Sequence, residues 1–248
     1  MTSTTKKVLV GAAIVLILAL VGGVWWFYNS IDSLVASAIR TFGPEITGVS
    51  IRLDSVKIEA LDGRAALHGL VVGNPQGFKT EHALSLGEIS MTLDLDSLTK
   101  DVIVIKQVSI VKPDVSYELG PGGSNLDAIQ RNVDRYVAQH RGGSSQRTER
   151  NGGKKLVIED LYIKNATAHV SAAVMQSSGM SVPVPDLHLR DIGKRSGGAT
   201  SGEVVKQVLG ALTHSVTRTV ASRGLGGTID TLKNGAGSAM DTVRGLLR

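Results

Sequence analysis

Six stretches of the chain share one order of apolar and polar positions: apolar-x-apolar, two spacers, apolar-x-apolar. They are Ile51/Leu53/Val56/Ile58, Ala65/Leu67/Leu70/Val72, Leu84/Leu86/Ile89/Met91, Ile103/Ile105/Val108/Ile110, Leu156/Ile158/Leu161/Ile163 and Val182/Val184/Leu187/Leu189. Residues i and i+2 share a face of a strand but not of a helix. The pattern therefore predicts strands. The second spacer shifts the side-chain phase by one, which a strand absorbs by a bulge or a local twist. Repeated in every strand, this predicts a curled antiparallel sheet with one concave apolar face, bulged near Asp54-Ser55, Gly87-Glu88 and Lys106-Gln107. A further short strand runs from Val115 to Leu119, and another covers Ala168 to Val174.

Helical periodicity brackets this region. Ile31, Leu34, Val35, Ala38, Ile39 and Phe42 lie on one helical face, and Gly43-Pro44 is expected to end it. Ser124 or Asn125 can cap a helix with apolar positions Leu126, Ile129, Val133 and Val137. Thr200 and Glu203 form a capping box ahead of Val204, Val205, Val208, Leu209, Leu212, Val216 and Val220. A last amphipathic stretch carries Ile229, Leu232, Ala236, Met240, Val243 and Leu247. The fold class expected is α+β: a curled antiparallel sheet with flanking amphipathic helices behind one transmembrane helix.

That transmembrane helix is Val8 to Tyr28, an uncharged run containing Leu16 and ending in Trp25, Trp26 and Tyr28. As a helix it would span roughly 31 Å, about the thickness of a bilayer core. Lys6 and Lys7 precede it, so the N-terminus is expected in the cytoplasm and the rest across the membrane. A cleaved leader would be shorter and end in small residues. The expected organisation is 1–28 stub and anchor, 29–48 juxtamembrane helix, 49–195 β-rich domain with a basic linker at 140–155, and 196–248 C-terminal helices.

Composition narrows the function. The formal net charge of +5 includes Lys6 and Lys7, and aromatics make up 4% of the chain. That is too little charge and too few stacking rings for nucleic-acid binding. Cysteine is absent, which removes disulfides, thiolate metal sites and a cysteine nucleophile. No catalytic motif is present. The histidines at 68, 82, 140, 169, 188 and 214 show no metal-ligand spacing. Asp94 and Asp96 read as a solvent-facing strand end. Asn165-Ala166-Thr167 fits a glycosylation acceptor, a common pattern. The chain is thus expected to be no enzyme, without cofactor or metal.

Several segments resemble the AsmA-like proteins of the Gram-negative envelope. They are Phe42 to Gly48, the loop Leu70 to Phe78 with its Gly-Asn-Pro-Gln-Gly-Phe run, Ile110 to Val115, and Asn125 to Ile129. The resemblance implies an inner-membrane, periplasm-facing protein of outer-membrane biogenesis and lipid homeostasis, with membrane lipids and envelope proteins as partners, the latter through the C-terminal helices. Its large members are several times longer, so a bridging role does not transfer. On this reading acyl chains lie against Ile51, Leu53, Leu67, Leu70, Leu86, Ile89, Ile103, Ile105, Ile158 and Leu161. The alternative is a structural or scaffold protein with those residues in a closed β core. The Asn-Pro loop also resembles the late-embryogenesis-abundant group 2 domain, a stress-related β-sandwich. Whether the helices after Val204 fill the concave face decides between the two.

Overall fold

The computed structural model describes residues 31–120, 122–140, 154–172 and 180–225. Helix α1 covers 31–47. Strands β1 (Ile51–Arg52), β2 (Ser55–Glu59), β3 (Arg64–Val72), β4 (Leu84–Leu93), β5 (Val102–Val111), β6 (Asp114–Gly120) and β7 (Gly123–Ser124) follow. Helix α2 (Asn125–His140) leads to β8 (Lys155–Lys164), β9 (Ala166–Ala172), β10 (Met180–Val184) and β11 (Leu187–Ile192), and α3 is Ser201–Val220.

The sheet is mixed and mostly open, which corrects the curled antiparallel expectation. Its main path runs β10-β9-β6-β4-β5-β8-β11, with β1 and β2 attached through β3. The pairs β5 with β8 and β6 with β9 are parallel. The chain leaves β6 through α2 and returns at β8, and a crossover of that kind delivers a parallel strand.

The spacer residues are where the expectation of bulges fails in part. Through Gly87 the β3–β4 ladder keeps its register, from Arg64↔Thr92 to Val72↔Leu84. No bulge is needed because the neighbouring strands take their extra residue at the same level. The shared interruption passes between β1 and β2 at Asp54, through Gly69 (φ 63°), Lys112 (φ 52°) and Asn165 (φ 54°), to the gap between β10 and β11. Only Gly69 is spared a Cβ penalty in that left-handed conformation. Backbone bonds Lys112 N–H to Lys164 O (2.8 Å) and Thr167 N–H to Pro113 O (3.1 Å) carry the ladder across this seam. A true register shift does occur between β4 and β5, at Thr92/Leu93 opposite Lys106. There β5 takes an extra residue that β4 lacks.

The result is an inner face of straight apolar rows. One row reads Ile51, Val72, Leu84, Val115, Ala168, Val182. Another reads Val56, Leu67, Ile89, Ile110, Ile163, Leu187. A third is Ile58, Ala65, Met91, Val108, Leu161, Leu189. Mostly polar residues occupy the other face, with Ala66, Val71 and Val111 among them.

Among the described residues three helices cover the inner face. α1 lies along the β1–β2 edge: Asp32 Oδ1 accepts from Ile58 N–H (2.9 Å), and Arg40 donates to the Leu53 and Asp54 carbonyls. α1 does not end at Gly43-Pro44. It runs on until Gly48, at φ 69°, takes the left-handed turn and donates to Pro44 O. Pro44 costs the helix one N–H donor and crowds the carbonyl one turn back, yet it falls in the last turn and the chain stays helical to residue 47. α2 sits on β6 and against α3, which crosses β8, β10 and β11. The Thr200–Glu203 capping box opens α3 as expected. Ser124 caps α2 reciprocally, accepting from Asp127 N–H while Asp127 Oδ2 accepts from Ser124 N–H. Asp94 and Asp96 lie in a short turn after β4, where Asp94 caps Asp96 N–H, rather than on a strand face.

The membrane expectation is also corrected. Among the described residues no helix is long and apolar enough to cross a membrane, so a single-pass inner-membrane location with a periplasmic domain is not supported. The segment on which it rested, with Val8, Leu16, Trp25, Trp26 and Tyr28, lies outside the described residues, as do most of the basic linker and the last amphipathic stretch.

Candidate binding surfaces of the sheet

The ten residues expected to hold acyl chains all lie on the inner face. Leu53, Leu67, Ile89, Ile105, Ile158 and Leu161 belong to one buried core that also includes Val133 and Val137 of α2 and Leu209, Leu212, Val216 and Val220 of α3. Ile51, Leu70, Leu86 and Ile103 are half-buried against it. The same core holds Ala36 and Ile46 of α1, so helices on three sides share it with the strands. Towards the end of the sheet where β5 and β8 begin, coverage thins. Ile58, Met91, Leu93 and Ile103 are half-buried there, as are Val35 and Ile39 of α1 and Val204, Val205 and Val208 of α3.

The Gly-Asn-Pro loop has a structural explanation. Glu118 on β6 is buried, and its carboxylate accepts from Lys79 N–H, Thr80 N–H and the Thr80 hydroxyl at 2.8–3.0 Å. Fully buried Asn125 accepts from Glu118 N–H and Leu126 N–H and donates to Ser116 O and Asn74 Oδ1. Asn74 in turn donates to Thr80. A buried carboxylate is tolerated because several N–H and O–H groups replace its water. The loop residues of the family resemblance thus serve to pin the β3–β4 connection to the start of α2.

Beside this network Tyr117 is fully buried and shares a hydrogen bond with Thr217 of α3 (3.2 Å). Burial pushes its phenol above the ordinary tyrosine range. The neutral form is therefore favoured in the folded state. Stability is full below about pH 10 and should fall as pH rises through the unfolded-state value, where only the unfolded chain ionises. Urea unfolding from pH 7 to 11 should show this decline, and Tyr117→Phe should make it shallower. An unchanged slope would mean Tyr117 is not its source.

The outer face is mostly polar and exposed, although Val111 lies on it and Ser116 and Glu118 are buried. A hollow of about 420 Å³ lies over β2 to β5, floored by Ala66 and Ser90 and rimmed by Lys57, Glu59, Arg64 and His68. Glu59 bonds both Lys57 (3.1 Å) and Arg64 (3.0 Å), which together hold its carboxyl below the usual range. Further along, His188 meets Asp160 at 2.6 Å and stacks on Tyr162. On β6, β9 and β10, Asp114, His169 and Ser181 are joined by hydrogen bonds, with His82 facing the same carboxylate. Sequence spacing gave no sign of this cluster, because its members come from separate parts of the chain. Among the described residues no group of three or more His, Asp or Glu side chains could hold a metal ion.

Asp32 occupies the outer edge of β2 at Ile58, Arg40 bonds the Leu53 and Asp54 carbonyls between β1 and β2, and Pro183 removes a donor from β10. No family model matches the chain, and no curated protein matches it.

Proposed function

We propose that the chain is a non-catalytic scaffold module with a closed core, which meets its partners through the outer face of the sheet. The observation that carries this reading is the single core shared by all three helices and the strands. Six of the ten residues that an acyl chain would need are inside it. The α3 apolar stripe is engaged in the same core, so partner contacts fall on the polar face and on the outward sides of the helices. The resemblance to AsmA-like proteins supports a role in envelope assembly, and the Gly-Asn-Pro loop behind that resemblance is tied through Asn74 to buried Asn125.

A second reading, acyl-chain binding, draws on the half-buried strip of Ile58, Met91, Leu93 and Ile103 between α1 and α3. A lipid leaving a bilayer gains little from hiding its tails a second time, since about 0.8 kcal/mol per methylene is already realised there. A protein site must therefore present a continuous apolar wall, and this strip is a stretch of inner face with incomplete cover. Native mass spectrometry of the purified full chain separates the readings. The scaffold reading expects a lipid-free mass. A stoichiometric phospholipid adduct that survives gentle ionisation, and is lost in Leu93→Asp, would replace it with the binding reading.

A further inference from the structure

On the outer face, three neighbouring strands place a carboxylate, an imidazole and a hydroxyl in line. His169 Nε2 lies 2.7 Å from Asp114 Oδ2, and His169 Nδ1 lies 2.7 Å from Ser181 Oγ. A carboxylate has only acceptors, so Nε2 carries the proton and donates it to Asp114. In the neutral ring Nδ1 then holds a lone pair, and the Ser181 hydroxyl donates into it. The ladder fixes this alignment: Ser181 pairs with His169 across β10–β9, and Asp114 pairs with Thr167 across β6–β9. On the other side of the carboxylate, His82 Nε2 lies 3.6 Å from Asp114 Oδ1, shielded from water and without a hydrogen-bond partner. Asp114 thus meets two imidazoles. The side chains of His169 and Asp114 are 48% and 43% exposed, so a small reagent reaches them.

We propose that Ser181 is an activated nucleophile that accepts an acyl group from an activated carboxylic ester. A hydroxyl bonded to a neutral imidazole whose far nitrogen is anchored by a carboxylate is the arrangement that raises serine nucleophilicity. In the step, Ser181 Oγ attacks the ester carbonyl carbon as its proton passes to His169 Nδ1. Asp114 stabilises the imidazolium that forms. The tetrahedral adduct collapses, the carbon–oxygen bond to the leaving group breaks, and the departing alkoxide takes the proton from Nδ1. The products are an acyl-Ser181 and the free alcohol. One acyl group is transferred per chain, which leaves the scaffold reading untouched.

The test uses the full chain with p-nitrophenyl acetate and with a fluorophosphonate probe, read by intact mass and peptide mapping. A single adduct on Ser181 is expected, absent in Ser181→Ala. His169→Gln removes the base and should slow labelling by about 100-fold or more. Asp114→Asn should slow it as well, whereas His188→Gln, on the separate Asp160 pair, should not. The exposed positions tolerate these changes, and a circular dichroism melt of each variant checks that the fold persists. No adduct, adducts spread over lysines, or a Ser181 adduct formed equally fast in His169→Gln would overturn the proposal and leave a cross-strand hydrogen-bond chain.

Discussion

Ile105→Asp should abolish cooperative folding at neutral pH. Ile105 is 9% exposed and faces Ile158 across the parallel β5–β8 ladder and Leu93 across β4. A carboxylate there has no cation to pair with in the apolar rows around it. Burying it without a partner would cost more than about 4 kcal/mol, a large share of a domain's typical 5–15 kcal/mol. Lys106, the next residue, is exposed, and Lys106→Asp should leave the melt nearly unchanged. Circular dichroism melts of the two variants make the comparison. A folded Ile105→Asp protein would place water against that wall, and the closed core would have to be abandoned.

Asn125→Leu is expected to be the next most damaging change. The substitution keeps the branched shape, with bulkier methyl groups, and removes four hydrogen bonds: those from Glu118 N–H (3.0 Å) and Leu126 N–H (2.9 Å), and those to Ser116 O and Asn74 Oδ1 (both 2.7 Å). Each buried group left unpaired costs about 1–3 kcal/mol, and partial rebonding brings the total to about 3–6 kcal/mol. Denaturant midpoints measure it. Hydrogen exchange should also speed up at Lys79 and Thr80, because Asn74 loses its anchor and Glu118 its neighbour. A loss below about 1 kcal/mol would show that the loop is held by other means.

The strands were legible because their pattern is one of period two, and period is a local property. Each of the six segments became strand, and the Thr200–Glu203 cap was readable from two residues at the correct spacing. Sheet order was not legible. Nothing in Ile103 to Ile110 or Leu156 to Ile163 states that they run parallel, since that depends on where α2 returns the chain. The doubled spacer was read as bulging, a property of one strand against another. It is in most places an agreement between neighbours, and only the pairing reveals this. Gly43-Pro44 does not stop α1, because a proline in the last turn is tolerated there, and the stop is Gly48. The ten residues expected against acyl chains share one face of the sheet, but their cover comes from residues of α1, α2 and α3 that share no pattern with them. The Asp114–His169–Ser181 chain needed three strands from distant positions and had no sequence signature.

The seam across the sheet has an arithmetic consequence. Between Val102↔Lys155 and Leu119↔Ala172 the two parallel strand pairs hold one offset, although each chain segment is interrupted on the way. The interruptions cancel because they are equal. Removing Lys112 alone would break that equality. Upstream of it every neighbour would still match, while downstream Ser116 and Glu118 would turn toward the helices and Val115 and Tyr117 toward solvent. A length change in one of these strands is therefore felt by its neighbours: it needs either a matching change beside it or a bulge of the kind that β5 carries at Lys106.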